Sequence, residues 1–254
     1  MLHAIESINS LRREELARVF SRYGERFKGA DVLEIGSGSG VQLKAIQRLA
    51  RSAKGIDVCN GNYSQHRIID VIDYDGLNIP FPDSSFDLIF SSHVLEHLID
   101  EPQLYKEMAR VLRPGGTAIH VVPTITWRLW SSIVHYPDVA VRIASKFLPK
   151  KNNGAAAPTI RQHHMSMMER IRYTLLPCRH GEKGNWITEM YWLHPAIWKR
   201  RIEGNGWKVN SVANMGLWCS GYFLLGDRLS IRARSKLARM LGSCAVVIET
   251  SPNY

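Results

Sequence analysis

Cysteine is scarce in this chain. The four in 254 residues, Cys59, Cys178, Cys219 and Cys244, stand far apart and form no CxxC pair. That argues against a disulfide framework and against a cysteine-ligated zinc site, and it fits a reducing, cytoplasmic setting. No metal is expected on this basis. Long apolar runs are missing too: nothing approaches the roughly eighteen residues of a spanning helix. Met1-Leu2-His3-Ala4-Ile5-Glu6 lacks the build of a signal peptide. Acidic residues are few outside one block. Residues 31–122 hold 8 Lys/Arg and 12 Asp/Glu, a net of −4, whereas the remainder holds 25 and 11, a net of +14. The overall charge of +10 therefore sits on everything added to an acidic centre. Such asymmetry points to an anionic partner, such as phospholipid headgroups, a phosphorylated lipid carrier, a nucleotide sugar or RNA, or to a basic face that meets only solvent. The apolar fraction of 45% suffices for the core of one domain with an elaboration.

What the acidic block contains is more specific. Val32-Leu33-Glu34-Ile35 reads as a short apolar strand carrying one acid, and it runs into Gly36-Ser37-Gly38-Ser39-Gly40. Glycine accepts positive φ and lets a ligand approach the backbone closely. A glycine turn between a strand and a helix makes a nucleotide-sized slot at the carboxyl edge of a sheet. The dinucleotide pattern GxGxxG would need a third glycine where Val41 stands, which points away from a pyrophosphate. Lys54–Val58 reads as a second strand ending in Asp57, placed where a carboxylate can accept the hydroxyls of a ribose. An alternative for Asp57 is to cap a turn, and Asp75-Gly76 is also an ordinary turn dipeptide.

Four blocks in order carry a resemblance: the glycine turn, Asp57, the run Asp75-Gly76-Leu77 through Phe86–Leu98, and Val111-Leu112-Arg113-Pro114-Gly115-Gly116. Together they closely resemble the class I S-adenosylmethionine-dependent methyltransferases, nearest the "type 11" small-molecule branch, over about residues 30–122. The resemblance implies S-adenosyl-L-methionine as cofactor. It implies that Gly36, Ser37, Gly38 and Gly40 pack on the methionine part, and that Glu34 helps to fix its amino-acid end. Asp57, with Val58 beside it, would take the ribose, Asp75 the adenine amino group with Gly76 and Leu77 flanking the ring, and Ser91 and His93 would floor the slot beside the methyl group. The chain departs from the family after Asp57, where too few residues remain before Arg67–Val71, the expected third strand, for a full helix.

The rest of the chain reads as alternating strands and helices. An amphipathic helix is expected over 11–27, a first core helix over 41–50, a fourth strand over 86–91 and a fifth over 117–122. Between the last two, Asp100 is expected to cap a helix with Pro102 in its first turn. A helix over 194–204 and strands over 207–212 and 245–250 close the pattern. The expected fold is α/β, a doubly wound, seven-stranded Rossmann-like sheet whose last strand is antiparallel, with a helical insert after the fifth strand. One domain spans 1–254: core 30–122 and 194–254, N-terminal helix 1–29 and substrate-side insert 123–193. The insert is expected to hold two helices, 126–135 and 139–148, parted by Pro137, then a flexible linker over 150–158. Its place implies an acceptor pocket or lid. A basic amphipathic piece over 225–241 suits either an anionic membrane surface or a solvated face.

For chemistry, a hydroxyl acceptor needs its proton removed, and histidine is suited to that near neutral pH. The candidate bases are His93, His163 and His164, with Glu189, Tyr191 and His194 behind them. Helical packing accounts for Leu95-Glu96-His97-Leu98, so His97 is read as structural. Phe90-Ser91-Ser92-His93 is not the Asn/Asp-Pro-Pro-aromatic tetrapeptide of enzymes that methylate base amino groups, which makes nucleic acid the less favoured partner. The expected activity is methyl transfer to a small-molecule or lipid-linked anionic acceptor, as in O-methylation of surface glycans or lipids, at the inner face of a membrane. An RNA methyltransferase and an inactive cofactor-binding scaffold are the alternatives.

Overall fold

The computed structural model describes residues 2–59, 64–147, 166–168, 174–220 and 228–253. Its centre is one seven-stranded sheet in the order β3-β2-β1-β4-β5-β7-β6. The strands are β1 (Asp31–Ile35), β2 (Ser52–Val58), β3 (Ile72–Tyr74), β4 (Phe86–Ser92), β5 (Leu112–Pro123), β6 (Trp207–Asn214) and β7 (Ala245–Pro252). The first five run parallel, and β7 is antiparallel to both of its neighbours. The strand order turns back at β1 and β4, so the carboxyl ends of these two strands flank a crevice.

Strand side chains alternate between two cores. On one face Leu33, Ile35, Ile89, Ala118 and Val122 meet helices α3 (Glu101–Val111) and α6 (Pro195–Gly204), the latter preceded by the single turn α5 (Glu189–Trp192), through Leu104, Met108, Trp198 and Ile202. On the other, Val32, Leu88, Phe90, Ile119 and Val121 meet α1 (Leu2–Phe27) and α2 (Val41–Ile46). The buried stripe of α1 is Leu11, Glu15, Val19, Tyr23 and Phe27, spaced by four, with Leu16 beside it. A carboxylate inside an apolar helical stripe needs a partner. Asp100 caps α3 by accepting from the Gln103 N–H at 3.0 Å, and Pro102 lies in the first turn.

Several boundaries differ from the sequence expectation. The third strand is Ile72–Tyr74, not Arg67–Val71. Residues 67–71 instead wrap the glycine turn: the Ile68 N–H donates to the Ser39 carbonyl at 2.9 Å, and Arg67 folds back on the Val71 carbonyl and Asp73. The first core helix stops at Ile46. The fifth strand begins directly at Leu112, and Pro114-Gly115-Gly116 lies within it, beside a register shift opposite Phe86 and Leu88. Pro137 does not divide the insert. One helix, α4 (Ile125–Phe147), carries it inside. A mid-helix proline orphans the carbonyl four residues back, and with Ile133 and Tyr136 about half exposed, water can reach that stretch. The expected linker over 150–158 and the start of the 225–241 piece lie outside the described residues. The rest of that piece is helix α7 (Ile231–Leu241). No helix among the described residues is long and apolar enough to cross a membrane.

Candidate active site

The glycine turn leaves β1 at the crevice. Gly36 has φ +74°, and a Cβ there would meet Val94 Cγ2 at 2.3 Å, so both backbone shape and space require glycine. Gly38 and Gly40 also have positive φ. The Gly38 N–H donates to Asp57 Oδ2 at 2.8 Å and the Val58 N–H to Oδ1 at 2.8 Å. Asp57 is thereby fixed at the end of β2 and joined to the turn, with acceptor sites left over. Below the turn lies Glu34, 1% exposed, with Oε2 buried and unpartnered. Burial, with Asp57's charge adding to it, pushes its carboxyl up to about 8.

On the neighbouring loop Asp75 accepts from the Leu77 and Asn78 N–H groups at 2.8 and 2.7 Å and from the Asn78 amide at 2.6 Å. These donors hold its carboxyl below the usual range. Asp75 thus shapes a turn that presents Gly76 and Leu77. Leu77 and Val58 are 41% and 43% exposed, and a Cβ on Gly76 would lie 3.4 Å from Val58. The residues expected around a ring therefore form an open apolar ledge.

At the end of β4 the Ser91 hydroxyl pairs with His120 Nδ1 at 2.8 Å, both side chains being buried. Burial pushes His120 down to about 3, so it is neutral. His93 follows, with φ +56°, unusual for a side-chain-bearing residue. Its Nε2 lies 3.2 Å from Glu15 of α1 and its Nδ1 3.5 Å from Glu96. Burial and Arg12 oppose its charge, but the two carboxylates outweigh them and raise its pKa. Glu15 is correspondingly held down to about 2: burial works against its charge, and Arg12 at 2.7 Å and His93 overcome it. Both ring nitrogens of His93 thus face carboxylates, an arrangement that suits positioning rather than base catalysis.

Glu96 lies in a single 3₁₀ turn, Leu95–His97. The chain returns over it at His180-Gly181-Glu182, where the Glu182 N–H donates to the Glu96 carbonyl at 3.0 Å. Glu189 is buried and accepts the His180 and Gly181 N–H groups, each at 2.6 Å, with Arg128 of α4 3.2 Å from its other oxygen. Glu189 is therefore a brace. His194 accepts from the Ala196 N–H and caps α6, and Tyr191 is exposed. His163 and His164 lie outside the described residues. Glu15, Glu96, His120 and His180 did not emerge as site residues from the sequence. Glu15 alone left a local trace, its place in an apolar stripe.

Residues 33–120 match a family described as a methyltransferase domain. They form a class I S-adenosylmethionine-dependent methyltransferase domain. The domain is 35% identical over 116 residues to a protein of Mycolicibacterium smegmatis named a probable S-adenosylmethionine-dependent methyltransferase, a stretch that covers 44% of each chain. It is 36% identical over 90 residues to a demethylmenaquinone methyltransferase of Corynebacterium urealyticum, over 35% of this chain and 39% of that one. The matches span less than half the length of these curated relatives. In fold, the chain is similar to an S-adenosylmethionine-dependent methyltransferase from Mesorhizobium loti, with TM-score 0.50 and 14% identity, covering 89% of this chain and 92% of that one.

The methyl donor of this family is S-adenosylmethionine, and the residues of this methyltransferase domain fit it. The buried, unpartnered Glu34 oxygen sits below a turn that a Cβ at Gly36 would fill, and the Val58 and Leu77 ledge begins beside Asp57. Glu34 and the turn would hold the amino-acid end, Asp57 the ribose, and the ledge the adenine. Asp75 keeps an oxygen that accepts only the Asn78 amide.

Proposed function

We propose that the protein transfers a methyl group from S-adenosylmethionine to a small or lipid-linked anionic acceptor, most naturally a hydroxyl in surface glycan or lipid biosynthesis, reached at the inner face of a membrane. The observation that carries the donor half is Glu34: a buried carboxyl group with one oxygen left unpartnered, under a turn that admits only glycine. Such a group is costly to keep unless a ligand uses it. The bound donor supplies a methyl group on a sulfonium, an electrophile that needs no further activation. The chain's part is to position the acceptor and exclude water. Gly36, Asp57 and Glu34 hold the donor side, and Glu15, through His93, ties α1 to the end of β4 on the other. The acceptor half is supported by the absence of a base-methylating tetrapeptide after β4, by the basic elements around the acidic core, and by the likeness to a demethylmenaquinone methyltransferase.

The test is calorimetric titration of S-adenosylhomocysteine into wild type and Asp57→Ala. Micromolar binding that weakens at least about tenfold in the variant is expected, the worth of a hydrogen bond to a charged group. Unchanged binding in Asp57→Ala, or none to wild type, would remove the reading. Labelled-methyl transfer into lipid extract compared with RNA then separates the acceptors. The net charge of +10 favours RNA as the second reading, and label entering RNA alone would establish it.

A further inference from the structure

We propose that Glu96, His97 and His180 form a binding site for a divalent transition-metal ion, next to the cofactor slot. One ligand atom from each lies within 4.8 Å of the others. Glu96 Oε1 is 3.7 Å from His180 Nε2 and 4.0 Å from His97 Nε2. Ligand atoms about 2.0–2.2 Å from a common tetrahedral ion stand roughly 3.4 Å apart, so an ion would draw the Glu96–His180 and Glu96–His97 pairs in by about 0.3 and 0.6 Å and the two histidine nitrogens, within 4.8 Å of each other, by up to about 1.4 Å. The second observation is the carboxylate itself. The Glu96 side chain is 1% exposed, and neither of its oxygens has a hydrogen-bond partner. Three imidazole nitrogens surround it at 3.5, 3.7 and 4.0 Å, converging on the carboxylate at more than hydrogen-bond length.

The histidines are held rather than loose. The backbone at His180 is pinned by Glu189, and its ring lies between Trp127, at 4.5 Å between centroids, and His97, at 4.7 Å. His97 follows Glu96 within one tight turn. His93 Nδ1, 3.5 Å from the Glu96 oxygen, stands as an outer partner that orients the ligating carboxylate. Glu96 is buried while both ligand histidines reach solvent, which gives an ion an entry path. Two imidazoles and a carboxylate suit zinc, cobalt, iron or manganese better than calcium or magnesium. Three protein ligands leave a position open to water or an acceptor oxygen. Val94, two residues before Glu96, packs on Gly36, so the turn that carries Glu96 starts at the edge of the slot.

The test uses the full chain after chelator treatment, without cofactor or acceptor. Cobalt(II) is titrated and its visible d–d absorption followed, and zinc is then titrated by calorimetry. One ion per chain is expected. Affinity should fall at least about tenfold in His97→Ala and His180→Ala, and stay unchanged in His135→Ala, a half-buried histidine of α4 that pairs with the Thr174 carbonyl. Thermal melts check that the variants fold, and His180→Asn offers a milder change. No cobalt spectrum with wild type overturns the site without recourse to any variant. An equal spectrum and affinity in the double variant His97→Ala/His180→Ala overturns it too. Metal binding and S-adenosylhomocysteine binding are read separately, so either can fail while the other stands.

Discussion

Glu34 and Glu15 are both buried glutamates, yet they pull stability in opposite directions with pH. Burial holds Glu34 up to about 8 from an ordinary value of 4.5. The fold therefore favours its protonated form: its contribution is intact below 4.5 and is lost as pH rises through about 8. Arg12 and His93, against the cost of burial, hold Glu15 down to about 2, so its contribution is present above 4.5 and is lost as pH falls towards 2. In Glu34→Gln the alkaline slope should disappear. Urea melts should show the variant roughly equal to wild type at about pH 4 and more stable by about 1–3 kcal/mol at about pH 9. A cofactor ammonium at Glu34 would favour the ionised form. Binding of S-adenosylhomocysteine near neutral pH should then release a proton from wild type and none from the variant. Calorimetry in buffers of different ionisation heat reads this directly, and equal proton release would show that Glu34 does not meet the ligand.

At the scale of elements, α1 is more than a cover for the sheet. Its Glu15 is the polar member of the stripe Leu11, Val19, Tyr23 and Phe27, and it meets His93 at the end of β4. Glu15→Leu would complete the apolar stripe, leave Arg12 without its carboxylate and leave His93 with Glu96 alone. Breaking a buried pair from one side costs about 3–5 kcal/mol, so a lower melting temperature is expected despite the gain in apolar character. A neutral or stabilising effect would show that the stripe, not the pair, docks α1. The same residue shows where the sequence could be read and where it could not. Glu34, Gly36, Gly38 and Asp57 were legible because turn geometry and strand ends constrain them locally. The strands from β4 onward were legible through short apolar runs between turn signals. β3 was misplaced because Ile68 and Ile69 look like a strand, but one serves a backbone bond to Ser39 and the other packs on Gly40. Glu15, Glu96 and His180 come from three distant segments, and no local pattern records that folding joins them.

For the whole molecule the charge distribution decides what can approach. The block 31–122 carries −4, and the rest of the chain carries +14. Helix α7 shows how the basic part is deployed. Arg234 turns inward, is 1% exposed, and donates to the Leu229 and Trp218 carbonyls, so it is part of the packing. Arg232, Lys236 and Arg239 face outward together with Met240, which is 79% exposed. The outward face is thus cationic with one apolar tip, not the broad apolar face of an inserting helix, and any hold on a membrane would be electrostatic. Each basic residue near an anionic surface is worth about 1 kcal/mol, and the attraction fades within a Debye length. Sedimentation should therefore show the protein pelleting with anionic vesicles at low salt and released at about 0.5 M salt. Neutral vesicles should not carry it down. Replacing Arg232, Lys236 and Arg239 by alanine should weaken pelleting while leaving S-adenosylhomocysteine binding intact, because none of the three touches the slot. No pelleting with anionic vesicles at low salt would remove the membrane from the proposed function and leave the basic surface to a soluble anionic acceptor.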